Sequence, residues 1–327
     1  MNATPTTATL GLCLILNTAT ALAADAPYRF IKEIPIGGSA QWDYLKVDSE
    51  SHRLYLSHAA KVDVIDLDRG IVIGVIESTP GVHGIALAPK LGRVFTSNGQ
   101  ENKASIVDAN TLKTISKVTT GANPDCILYA PGVNEVYTFN GKGKSATVFD
   151  PGSGKVIATL DLGGKPEFAV SDDQAGRVYV NIEDKSEVVV IDLQAHKVLN
   201  RWPIAPGESA SGMAIDVEHH RLFLGCDNKK MVMMDNTTGK VLATVPIGAG
   251  VDANAFDPGT QLAFSSNGEE GTTTIAREVA PDKLTVVQTL KTIVGARTMT
   301  LDPRTHAIYL PAPTPSFRVL VYGMDKP

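Results

Sequence analysis

One spacing dominates the chain. Apolar runs, each carrying an aromatic, recur at Tyr55, Phe95, Tyr137, Tyr179, Phe223, Phe264 and Tyr309, in steps of 40, 42, 42, 44, 41 and 45 residues. A second series agrees with the first, because an aspartate closes the following run at Asp66, Asp108, Asp150, Asp192 and Asp235. Within one period, from Gly163 to Ile204, four runs rich in β-branched residues (168–170, 177–181, 188–191 and 197–202) alternate with polar turn residues. Such runs read as antiparallel strands. A four-stranded sheet repeated seven times at this period predicts an all-β chain, a seven-bladed β-propeller, since a single blade cannot bury its own faces and stacking covers each with its neighbours.

The ends of the chain predict how the ring closes. The last unit supplies runs at 298–301, 307–310 and 318–322 and is then one strand short. Residues 28–36 resemble the fourth runs at 155–162 and 240–247. The N-terminal strand is therefore expected to complete the final blade and remove the exposed sheet edge of a linear array.

Residues 1–23 carry no charge, have an apolar centre from Leu10 to Leu16 and end in Ala21-Leu22-Ala23, the pattern of a cleaved secretory signal. Residues 24–327 are then a single propeller domain, expected in the periplasm or secreted. No other stretch reaches the roughly 18 apolar residues of a membrane span. The net charge of −5, with acids and bases interspersed, gives no basic stripe for nucleic acid. A monomer is expected. Cys126 and Cys226 fall two blades apart, and a disulfide needs Cα atoms within about 7 Å, so no bridge is expected.

Meander topology sorts residues by face. Turns between the first and second and between the third and fourth strands lie on one face, and the crossovers between blades on the other. His52, His196, His219, His220 and His306 fall on the turn face, whereas His58 and His83 fall on the crossover face. The pair His219-His220 has the look of a metal motif, but adjacent turn residues rarely converge on one ion, and a solvated turn fits better.

Twelve residues before each aromatic anchor stand Asp43, His83, Asp125, Glu167, Ser211, Asp252 and Arg297. All are polar. Four residues later the chain reads Val47, Leu87, Tyr129, Ser171, Ile215, Phe256 and Leu301, so the polarity belongs to that position. Each lies where a crossover enters an innermost strand, which predicts a polar ring at one mouth of the central channel, with Trp42 beside it. Two readings fit: a ligand site, or a wet channel mouth that tolerates polar side chains. Within the ring, His83, Asp125 and Glu167 come from consecutive blades and form a mixed oxygen and nitrogen set suited to a divalent ion. His58 is a secondary candidate near His83. No other cofactor is expected.

The remaining motifs weaken on inspection. Asn-Gly pairs at Asn98, Asn140 and Asn267 are turn chemistry. The glycine-rich segment 141–146 fits a dinucleotide fingerprint but joins two strands and opens no helix. The closing aspartates read as turn caps.

The runs Val178-Tyr179-Val180-Asn181, Val188-Val189-Val190-Ile191-Asp192 and Gly239-Lys240-Val241-Leu242-Ala243-Thr244-Val245-Pro246-Ile247-Gly248 resemble the repeat of YVTN or YncE-like seven-bladed propellers. Blade six departs from the pattern, with Ala276-Arg277 where a closing aspartate is expected. The resemblance implies an exported propeller and carries no catalytic motif. The expected function is binding of a small molecule or a periplasmic protein on the crossover face. The alternative is a metal-dependent, lactonase-like hydrolase or lyase built on the same ring.

Overall fold

A computed structural model describes Met1 and residues 28–324. The signal at 1–23 lies outside the described residues. Seven four-stranded antiparallel sheets follow one another along the chain. Blade four shows the unit: Pro166–Asp172, Arg177–Ile182, Glu187–Asp192 and Lys197–Pro203 run from the innermost strand to the outermost. The ring closes as the chain ends predict, with Arg29 to Pro35 pairing antiparallel with Gly323 to Arg318 as the outer strand of blade seven.

Each blade buries its second and third strands most deeply. Val188, Val189, Val190 and Ile191 are inaccessible, as are Tyr179 and Tyr137. Removing a side chain of this size from water stabilises the fold by about 1.5 to 3 kcal/mol, and seven such anchors cement neighbouring blades. Two anchors also bond across the joint. Tyr137 Oη donates to Leu193 O at 3.2 Å and Tyr179 Oη to Asn236 O at 2.9 Å, each in the next blade.

The closing aspartates are turn caps. Asp192 Oδ1 accepts from the backbone N–H of Gln194 at 2.9 Å and Ala195 at 2.7 Å, and Asp108, Asp150 and Asp235 repeat the arrangement. Blade six replaces this turn by a longer hairpin, Thr272–Ala280 with Lys283–Lys291. Cys126 and Cys226 are both buried and free.

One irregularity recurs and matters for the site. In blades two to six the innermost strand slips against the second strand near its start, between Val82 and Ile85, Pro124 and Ile127, Pro166 and Ala169, Ala210 and Gly212, and Val251 and Ala253. A bulge re-aims the extra residue out of the ladder. His83, Asp125, Glu167, Ser211 and Asp252 each sit in one.

Candidate functional site at the channel mouth

The bulges are held from the blade before. Ser97 Oγ donates to Asp125 O and Ser266 Oγ to Arg297 O, while Asn181 Nδ2 donates to Ser211 O at 3.1 Å. Thr298 Oγ1 makes the equivalent bond to Asp43 O at 2.7 Å, tying blade seven to blade one. Ser97, Asn181 and Ser266 share a place in sequence, two residues after an anchor; Ser57 stands there too and accepts from Asp43 N at 2.8 Å. That small-polar position is a signal the anchor spacing could have exposed.

The ring residues form pairs. His83 Nδ1 lies 2.5 Å from Asp43 Oδ2 and 3.9 Å from Asp125 Oδ1. Arg297 Nε donates to Asp252 Oδ2 at 2.8 Å, its Nη2 donates to Trp42 O at 2.9 Å, and the guanidinium stands 5.2 Å from the centre of the Trp42 ring. Trp42 also packs on Phe317, with centroids 5.3 Å apart, so it serves both mouth and core. Lys165 Nζ stands 3.1 Å from Glu167 Oε2 and donates to Glu183.

The metal set expected from consecutive blades changes one member. The ligand atoms that fall within 4.8 Å of one another at the mouth belong to Asp43, His83 and Asp125, without Glu167. Asp43 is as close in blade order to His83 as Asp125 is, on the other side, and its shorter approach is a matter of side-chain direction. His58 does not join them. Its Nδ1 faces Asp63 Oδ2 at 2.6 Å, its Nε2 faces Ser39 O at 2.7 Å, and its ring packs on Phe317.

Sequence reasoning missed the floor of the site. Tyr44 and Phe168 each follow a ring position by one residue, in blades one and four, and their ring centroids meet 5.1 Å apart across the channel. Tyr44 is 6% exposed, and its hydroxyl has no hydrogen-bond partner among the described residues. Burial pushes that hydroxyl well above the ordinary tyrosine range, and the charges of Asp252, Asp43, Asp125 and Glu167 push it further. The hydroxyl is thus under the charge of four ring carboxylates. Lys46, one turn of strand further along, is enclosed by protein yet reached by water, the geometry of a side chain in the channel; burial lowers its pKa.

Electrostatics at the mouth is strained toward neutral acids. Burial raises Asp125 well above the usual carboxylate range, with Asp43 adding to the rise and His83 opposing it. Burial also takes Glu167 to about 7, against Lys165, and Asp252 to about 6, against Arg297. For His83, burial lowers the pKa, but the Asp43 hydrogen bond and the nearby carboxylates outweigh it and hold the imidazole at about 9. Desolvation sets the carboxylates and charge pairing sets the histidine.

The turn face is different. His52, His196 and His306 adopt left-handed turn conformations and pair with Asp68 at 3.0 Å, Glu135 at 2.8 Å and Asp257 at 2.7 Å. His219 does not converge with His220; its Nδ1 faces Asp216 Oδ2 at 2.7 Å, and Glu278 from the long hairpin completes a group within 4.8 Å. Arg221 Nε lies 3.3 Å from Glu278, which gives that carboxylate a cation already. Two surface clefts lie off the axis, one of about 390 Å³ beside His58 and Glu77, and one of about 600 Å³ beside Asp216 and His220.

No family model matches the chain, and no curated protein matches its sequence. Its structure is similar to that of Kuenenia stuttgartiensis hydrazine synthase, with a TM-score of 0.75 and 14% identity over 94% of this chain and 99% of that one. It is also similar to the WD40 repeats of RRP9, with a TM-score of 0.79 and 10% identity over 91% of this chain and 99% of that one. At these identities the likeness shows the fold alone.

Proposed function

We propose that this protein is an exported propeller of the YVTN or YncE-like kind that binds a small ligand in the cup at its crossover-face mouth. The observation that carries the binding reading is the Tyr44 hydroxyl, buried, without a partner among the described residues and under the charge of four carboxylates, on a ring packed against Phe168. A buried polar atom left unsatisfied costs about 1 to 3 kcal/mol, and a ligand that enters the cup restores the bond. A wall of polar groups over an apolar base is the usual form of a small-molecule site. The uncharged apolar stretch at 1–23 supports export.

The hydrolase alternative is less favoured by the arrangement. His83, the group that would shuttle a proton or hold an ion, is directed at Asp43 and held protonated at neutral pH by its carboxylate neighbours. It would have to release both before acting as a base or a ligand.

The test is ligand-observed NMR of the mature chain against a fragment collection, beside the double variant Asp125→Lys, Glu167→Lys. Binding that vanishes in this variant, with its thermal transition retained, is expected; a control variant, His219→Ala with His220→Ala on the turn face, should bind as the native chain does. Binding unchanged by the charge reversal would overturn the reading.

A further inference from the structure

Three cations stand at the mouth, and each is committed to a carboxylate. His83 faces Asp43 at 2.5 Å, Arg297 donates to Asp252 at 2.8 Å, and Lys165 donates to Glu183 with Glu167 beside it at 3.1 Å. One carboxylate is left over. Asp125 is buried, has no hydrogen bond to its carboxylate oxygens among the described residues, and has its one nearby cation at 3.9 Å, on an imidazole directed elsewhere. Glu167, in the next blade, has a buried Oε2 without an aligned donor. The Tyr44 hydroxyl, within reach of the charge of both, is also without a partner among the described residues.

Three oxygens that can accept, two of them acidic, are therefore without an aligned donor at the mouth, where the Tyr44 ring packs on Phe168. The chemical group that matches is one with three N–H donors, a positive charge and no acceptor, which is an ammonium. Burial raises the Asp125 and Glu167 carboxyls and neighbouring carboxylates raise them further, and a charge of that sign opposes the rise. An anion would meet four carboxylates. A divalent ion held by Asp43, His83 and Asp125 would leave Glu167 outside its shell and the Tyr44 hydroxyl without a donor.

We propose that the cup selects a small primary ammonium compound, its three N–H groups received by the Asp125 and Glu167 carboxylates and the Tyr44 hydroxyl. The selectivity rests on the ligand-binding reading above.

The experiment is calorimetric and NMR titration of the mature chain with n-propylammonium, its neutral isostere n-propanol, propyltrimethylammonium, propionate and zinc ion. Tyr44→Phe and Asp125→Asn are the isosteric variants, each checked for a native thermal transition. Propylammonium is expected to bind best, with affinity falling about threefold to tenfold in Tyr44→Phe and about tenfold or more in Asp125→Asn. Propyltrimethylammonium, which keeps the charge and lacks the N–H donors, should bind at least tenfold more weakly. Equal binding of the trimethyl compound would overturn the three-acceptor assignment in favour of the aromatic floor. Binding of propanol, propionate or zinc in preference, still lost in Asp125→Asn, would overturn the ammonium while leaving a ligand site at the mouth. No shift of any mouth resonance with any of the five probes would overturn the ammonium assignment; failure of the wider fragment collection as well would overturn the site itself.

Discussion

On the turn face, Asp192 receives two backbone N–H groups at 2.7 and 2.9 Å; on the crossover face, the Asp125 carboxylate receives none among the described residues. Both are aspartates at a fixed place in the same 42-residue period. The turn-face carboxylate closes a local loop within four residues, so its partners come from its own sequence. The mouth carboxylate stands at a bulge held by a serine from the previous blade, and its neighbours come from blades one, two and four. Local partners satisfy charge, whereas convergence at the axis concentrates it.

The largest effect expected from this contrast is at Glu167. Its pKa is raised from 4.5 to about 7 by burial. The stability associated with the neutral form is complete below about pH 4.5 and is lost as the pH rises through about 7. Glu167→Gln, neutral throughout, should therefore be more stable than the native chain at pH 8, by up to about 3 kcal/mol, and equal to it near pH 4.5. Thermal melts at the two pH values check this; a variant less stable at pH 8 would show that Lys165 and Glu183 depend on the Glu167 charge.

A smaller effect, of opposite sign, is expected on the turn face. Asp192→Ala removes the acceptor for two N–H groups and should lower stability by about 1 kcal/mol in urea unfolding. Smallest of all is His52→Ala. The pair with Asp68 is exposed, and such pairs contribute between about 0 and 1 kcal/mol. A change within about 0.5 kcal/mol is expected; a larger loss would mean that the turn-face histidines stabilise the fold beyond their turns.

The blade count and the closing strand were legible because each depends on position within a repeat. A residue twelve before an anchor occupies the same place in every blade, so Asp43 through Arg297 could be assigned to one mouth without coordinates. The partner choices were not legible. His83 lies between Asp43 and Asp125 in blade order, and spacing treats the two alike; the 2.5 and 3.9 Å separations depend on rotamers. Lys165 fell in a glycine-rich entry segment, and nothing in the repeat marked its contact with Glu183.

By itself the sequence determined seven four-stranded blades and the N-terminal strand that closes the last of them. These follow from strand period and turn chemistry, which are local. Tertiary structure alone decided that Tyr44 and Phe168, 124 positions apart in the sequence, meet across the axis, and that the Tyr44 hydroxyl is left under the charge of the carboxylates. Ring closure brings together blades that share no contact along the chain. Which groups then neutralise one another depends on distances across the channel that no repeat encodes.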